Sequence, residues 1–268
     1  MLRGMYTSAS GMLAEQVRTD VLANNLANAQ TVGFKREATL QRAFPDLLLR
    51  RVFDPVTPAA GSAHRPFFGA DGLYDPRPVI GRLGTGTYID GTWTVHDQGP
   101  LQFTGNALDV ALNGEGFFAV QSDDGVRFTR DGRFMLDGEG RLVTLAGWPV
   151  LDANGAPIVV EGAEAAIDET GQVWADGVVV GAIAAWSFAE PQWLLREGEG
   201  LWAATDEAGA PQPAEPVFLS GYLEQANVNV VSSMVELITA FRAYEANQRV
   251  IQAYDQTLGR IVNDLGRA

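Results

Sequence analysis

The residue types that most often carry chemistry are scarce in this chain. Its 268 residues include no cysteine and two histidines, His64 and His96. The first fact excludes a thiol nucleophile, thiolate metal sites and a disulfide framework. The second excludes a multi-histidine metal centre and leaves histidine catalysis few candidates. His96-Asp97 has two members of a triad, but no glycine–serine–glycine elbow accompanies it. The pair reads as ordinary surface residues. Asp123-Asp124 has the pairing a glycoside hydrolase uses, but among 33 acidic residues it reads as a solvated loop. Asp137-Gly138-Glu139-Gly140-Arg141 starts like a calcium loop, yet Arg141 sits at a ligand position and no bidentate glutamate follows. Gly81-Arg82-Leu83-Gly84-Thr85-Gly86 and Asn113-Gly114-Glu115-Gly116 are glycine-rich, without the dinucleotide fingerprint or a surrounding βαβ unit. Both read as hairpin turns. No catalytic, cofactor-binding or metal residue is assigned.

Composition narrows the class further. A net charge of -14 argues against a nucleic-acid partner, which selects a basic footprint. Hydrophobic residues make up 46% of the chain, which excludes disorder. The length allows one or two domains and a core that needs no covalent staple. No run approaches the ~18 apolar residues of a membrane span. The segment Met1–Gly11 has polar residues every few positions, unlike the ~7–15 apolar residues of a secretory leader. General secretion rules therefore place the protein in the cytoplasm, unless a specialised export route takes it out.

The elements that must position any site fall into three parts. Residues 1 to about 30 carry Met5, Ala9, Met12, Val17, Val21, Leu22 and Leu26 at helical steps, with Gly33 as a stop beyond the end. From about 34 to 220, turn dipeptides recur: Asp71-Gly72, Asp131-Gly132, Asp137-Gly138, Asn154-Gly155 and Asp176-Gly177. Short apolar stretches lie between them, such as Phe117-Phe118-Ala119-Val120, so the middle is expected to be antiparallel β. Pro55 to Pro78 holds five prolines and is expected to be a long loop or arm.

Residues from about 229 to 265 form the strongest element. Leu237, Tyr244, Ile251, Leu258 and Leu265 recur every seven positions, flanked by Met234, Phe241, Tyr254 and Ile261. Ser233-Met234-Val235-Glu236 fits a capping box, with Asn229 as an alternative cap. Such length points to a coiled coil or a helical array. The expected fold is α+β: a mainly-β body inserted between long terminal helices that pair in coiled-coil fashion. The helical domain comprises residues 1–44 plus 222–268, and the body residues 45–221. Residues 1–45 carry five basic and three acidic groups, and 222–268 carry four and five. The acid therefore sits on the body, and the nearly neutral ends can approach copies of themselves.

One feature of the first helix stands out. Asn24, Asn25 and Asn28 crowd weak helix formers into five positions. They are read either as caps of a fraying end or as polar contacts that fix register between packed helices.

These residues also resemble a known family. Asn24-Asn25-Leu26-Ala27-Asn28-Ala29 with Thr31-Val32-Gly33-Phe34-Lys35 is similar to the N-terminal signature of the bacterial flagellar rod and hook proteins. The stretch Gly105–Phe118 and Phe128-Thr129-Arg130-Asp131-Gly132 resemble their mid-chain β segment. Gly221–Val231 and Arg242-Ala243-Tyr244-Glu245-Ala246-Asn247 resemble their C-terminal signature. Length and the Leu223–Val231 phrase look most like the rod members, the distal rod above the proximal one, and less like the longer hook.

The resemblance implies a structural subunit that polymerises helically into the axial tube of the flagellar basal body. Terminal helices would line the tube, and the β body would lie outside. It implies copies of itself and other rod and hook proteins as partners, and passage through the flagellar type III export apparatus. It implies no enzyme activity and no cofactor. The expected assembly surface comprises Asn24, Asn25, Leu26, Asn28, Gly33 and Phe34 at the N-terminal end. On the C-terminal side it comprises Asn227, Asn229, Met234, Leu237, Phe241, Tyr244, Glu245, Ile251 and Leu258. The competing readings are another secreted tubular or adhesin component, or a β-fold carbohydrate-binding or hydrolytic protein. An enzyme would show a deep pocket with converging polar groups; the assembly reading expects none.

Overall fold

The structure is a computed structural model that describes residues 2–44, 47–50, 79–162 and 165–265. The proline-rich stretch 55–78 and the Asp71-Gly72 turn lie outside the described residues. Two helices, α1 (Leu2–Ala27) and α2 (Val230–Leu265), flank a middle built almost wholly from short strands. The fold is α+β.

Helix α2 begins earlier than a capping box at Ser233 would have it. Asn229 caps the start: its side-chain oxygen accepts from the Ser232 amide at 3.1 Å, and its carbonyl accepts from the Ser233 amide at 2.9 Å. Ser233–Glu236 therefore lies inside the helix, beyond its cap. At ~1.5 Å per residue α2 is about 54 Å long.

The chain forms two compact units. One contains Met1–Val17, Leu40–Asp90 and Phe241–Ala268; the other contains Arg18–Thr39 and Gly91–Ala240. In the first unit the two helices pack closely through small residues of α1. A Cβ at Gly4 would overlap the Tyr254 ring, and one at Gly11 would lie 2.9 Å from the Asn247 amide nitrogen. Within this unit the buried residues of α1 are Ser8, Gly11 and Ala14; Leu22 and Asn25 are buried in the second unit. Apolar periodicity alone selects a different face: Val17 is exposed, and of the seven apolar positions only Leu22 is fully buried. The reason is steric. The partner helix presents bulky side chains, so the covered stripe of α1 must be small.

The second unit is organised by a six-stranded antiparallel sheet. Its order is Leu195–Gly198, Leu201–Ala203, Gly125–Thr129, Phe117–Ser122, Ala185–Ser187, Gln212–Ala214. The Phe117–Ser122 strand is buried on both faces, which explains its unbroken apolar run. Phe118 and Val120 point into the main core with Val110, Leu142, Val150 and Val173. Phe117 and Ala119 point into a second core with Phe128, Phe188 and Trp202.

Below that sheet, three segments close a ring of backbone hydrogen bonds. The Leu142 amide donates to Ile158, Ile158 to Val150, and Val150 back to Leu142, at 2.8–3.1 Å. Three turns of one design feed this region, at Asp137, Asp152 and Asp168. In each, the carboxylate accepts from the amides two and four residues on, at 2.8–2.9 Å. A glycine with positive φ stands three residues on, at Gly140, Gly155 and Gly171. The Asp176-Gly177 turn is a two-residue hairpin with both residues at positive φ, φ 49 and 83, as a type I′ turn requires. Asp131-Gly132 and the two glycine-rich segments make no hairpin. The strands flanking Gly84–Gly86 belong to different sheets, as do those flanking Gly114–Gly116.

Candidate functional site

Two surfaces account for the residues singled out by sequence. The first is a buried polar cluster in the second unit, where three distant parts of the chain meet. Glu224, at the end of the strand Tyr222–Glu224, accepts from Lys35 Nζ at 2.6 Å through one oxygen and from Arg130 Nε at 2.6 Å through the other. The side chains are 1%, 2% and 4% exposed in that order. The Gly99 amide also donates to Glu224, at 2.8 Å. Lys35 donates to the Asp97 carbonyl at 2.8 Å. Arg130 also donates to the carbonyls of Leu112, Gly114 and Gly116. The glycine-rich segment at Asn113–Gly116 is thus a carbonyl cradle for Arg130.

Electrostatics follow from this geometry. Burial alone would push the Glu224 carboxyl up, but Arg130 and Lys35 beside it hold it below its ordinary value. Lys35 is lowered by burial, a loss that Glu224 only partly offsets. A carboxylate shared between two buried cations needs further acceptors, and backbone carbonyls supply one to Lys35 and three to Arg130.

The flanking segments are held by backbone contacts. The Gly33 amide donates to the Glu224 carbonyl at 2.8 Å. Gly33 has φ 68, and a Cβ there would stand 2.6 Å from the Arg130 carbonyl carbon. Only glycine fits. Phe34 is buried under the Arg196 guanidinium, 4.2 Å from its ring centre. Asn227 accepts from the Arg36 amide at 2.7 Å and donates to the carbonyls of Val95 and Asp97 at 2.8 and 3.0 Å. Asn25 brackets Glu37, accepting from its amide at 2.8 Å and donating to its carbonyl at 2.7 Å.

Asn24 and Asn28 behave differently. The Asn28 side chain donates to the Asn24 carbonyl at 2.9 Å, closing the last turn of its own helix. The pair makes a cap, while Asn25 between them makes the tertiary contact. Leu26 is half-buried, and Asn229 is the exposed cap of α2.

The second surface is α2 itself. Leu237, Tyr244, Ile251 and Leu258 are all half-buried, with Ala240, Asn247, Tyr254 and Ile261 on the same side. The opposite side is apolar and open. Val231, Val235 and Ile238 are 73%, 59% and 52% exposed, and Met234 and Phe241 are exposed beside them. Glu245 is exposed and lies within 3.6 Å of Arg249. Helix α1 leaves Tyr6, Leu13 and Val17 exposed.

Sequence reasoning missed the ionic cluster, and His96 with it. The residue is no surface histidine. Its ring packs edge-on against Phe117 and Trp202, at 5.6 and 5.3 Å between centres. It lines a cavity of about 420 Å³ with Lys35, Arg130, Gln98, Ser187 and Phe188. The assembly reading expected no such pocket. Its two cations, however, are committed to Glu224 and to backbone carbonyls.

The residues with the most specific geometry are those of the three sequence signatures, and comparison with known proteins matches them. Residues 5–35 match the family described as flagella basal body rod protein, and 111–175 match the flagellar hook protein FlgE/F/G D1 domain. Residues 219–265 match the flagellar basal body rod FlgEFG protein C-terminal family. The chain belongs to the flagellar basal-body rod family.

Full-length relatives agree. The FlgG rod protein of Buchnera aphidicola subsp. Acyrthosiphon pisum is 34% identical, with 97% of this chain and 99% of that protein covered. FlgG of Caulobacter vibrioides is 35% identical over 96% and 97%. The flagellar hook-basal body complex protein FlhO of Bacillus subtilis is 33% identical, with both chains covered completely. The protein is a FlgG-like structural subunit of the rod. No helix among the described residues is long and apolar enough to cross a membrane.

Proposed function

We propose that the chain polymerises helically through its terminal helices into the axial tube of the basal body, where it carries torque and catalyses nothing. Other rod and hook proteins abut the polymer, and the flagellar type III export apparatus delivers the subunit. The family membership supports both statements. The observation that carries the polymer is the apolar stripe Val231–Met234–Val235–Ile238–Phe241, which faces solvent while the other side of α2 is half-buried. A stripe of this kind marks an interaction surface. An open helical polymer needs contacts between unlike faces of successive copies, and two long helices with separate exposed stripes provide them. The assembly residues on α2 divide accordingly: Leu237, Tyr244, Ile251 and Leu258 serve pairing within the chain, and Met234 and Phe241 serve contacts between copies. The acidic body limits lateral clumping, so moderate salt favours growth.

Light scattering across a concentration series tests this. Full-length protein is expected to grow into oligomers, and the Val235→Lys, Ile238→Lys double variant to stay monomeric with an unchanged melting transition. Growth of the double variant at the wild-type concentration would remove the stripe from the interface.

A further inference from the structure

We propose that His96 is an acid trigger for the Lys35–Glu224–Arg130 cluster: protonating its ring sets a third cation into a wall that holds one buried carboxylate, and releases the segments Val32–Arg36 and Leu223–Asn227 together. The inference stands apart from polymerisation, because it concerns the fold of a single chain.

The geometry couples the ring to both segments. His96 precedes Asp97, whose carbonyl accepts from Lys35 and from Asn227. It follows Val95, whose carbonyl also accepts from Asn227 and whose amide donates to the Arg36 carbonyl at 2.9 Å. Any shift of residues 95–97 therefore loosens the N-terminal and C-terminal segments at once. Those segments lead into α1 and α2.

The surroundings resist a charged imidazole. Lys35 and Arg130 share its cavity and repel a proton; Arg196 adds a cation over the Trp202 ring, 5.6 Å from its centre. On the other side stand the Asp97 and Glu115 carboxylates, both on exposed residues, and Glu224, already divided between two cations. Phe117 and Trp202 offer ring edges. The Pro191 carbonyl is a weak acceptor, and among the described residues neither ring nitrogen has a partner at full hydrogen-bond geometry.

Burial first, then Lys35, lowers the ring from its ordinary value of 6.5 to about 4. In the unfolded chain the ring takes its proton near 6.5, so between 6.5 and 4 the unfolded state binds more protons than the folded one. Stability therefore falls as pH falls through that window. Glu224 acts in the same direction lower down, since its folded value is depressed and its contribution disappears below 4.5. His96 is the first of the two to respond.

The chain has two histidines, so the ring resonances of the full-length protein can be followed individually by NMR. His96 is expected to titrate near 4. Protection factors, which divide out the slower intrinsic exchange of acidic solution, should fall at Gly33–Arg36 and Leu223–Asn227 between pH 6 and 4, ahead of the main-core strands. In His96→Gln the opening midpoint should move down by roughly one pH unit. A His96 resonance titrating near 6.5 with both segments still protected would overturn the proposal, as would equal opening midpoints in variant and wild type. If His96→Gln fails to fold, the wild-type titration and exchange profile decide alone.

Discussion

The ionic cluster and the outer face of α2 are built by opposite rules. Around Glu224 two cations are held by one carboxylate and by backbone carbonyls, and none of the three side chains is more than 4% exposed. Along Val231–Ile238 large apolar side chains face water with nothing over them in the single chain. The first region finishes within one molecule, and its worth is measured by unfolding. The second is unfinished, and its worth is measured by association. A variant that damages one should leave the other's readout intact, and that independence is what experiments can break.

The largest effect is expected at Glu224. Glu224→Ala leaves Lys35 and Arg130 buried without a counter-charge, a situation that costs about 3–5 kcal/mol. Chemical denaturation should show that loss in the second unit. Lys35→Met in the same background should recover part of it, because one of the two stranded cations is gone. A loss below about 1 kcal/mol in Glu224→Ala would mean that water reaches the cluster and the closed description fails.

A smaller effect is expected on the covered side of α2. Ile251 is half-buried, and Ile251→Asp places a charge where α1 packs, at a cost of about 2 kcal/mol. Helical circular dichroism should fall while the melting of the β strands of the second unit stays put. Loss of the β transition in this variant would join the two regions energetically and erase the contrast.

The contrast also explains what the sequence reveals. A helix face is local: the heptad through Leu237, Tyr244, Ile251 and Leu258 is read from one stretch of chain, and so are the Asp–Gly turns. The cluster is non-local. Lys35 and Glu224 are 189 residues apart, and the strand Val217–Ser220 pairs with Val110–Asn113 across more than a hundred residues. No periodicity links them. A weak signal was present, since Lys35 and Arg130 each stand beside apolar residues, in Val32-Gly33-Phe34-Lys35 and Phe128-Thr129-Arg130. On α1 the local rule misleads, because apolarity marks Val17 while packing against Tyr254 and Asn247 calls for Gly4 and Gly11. Among the asparagines, i,i+4 spacing picks Asn24 and Asn28, while the tertiary bonds belong to Asn25.

The smallest expected effect separates the two acid responses of the second unit. Asp168 lies in an open turn, where its carboxylate accepts from the Thr170 hydroxyl at 2.6 Å, the Trp174 indole at 3.1 Å and the amides of Thr170 and Gln172. The Thr170 hydroxyl bond, then the indole and the amides, hold it down to about 2. A depressed carboxyl stabilises the fold above its unfolded value of 3.8, and the contribution is lost as pH falls from there towards 2. Asn in its place keeps one acceptor oxygen and has no proton to gain. Asp168→Asn should therefore cost well under about 1 kcal/mol at neutral pH, because exposed bonds of this kind are worth little. Its unfolding curve should flatten below pH 4 and match the wild type between 6.5 and 4, where His96 acts. Denaturant midpoints measured at half-unit pH steps resolve the two windows. If Asp168→Asn instead altered the response between 6.5 and 4, the turn and the ionic cluster would be one titrating system, and the separation between an open, solvent-screened carboxylate and a closed one would collapse.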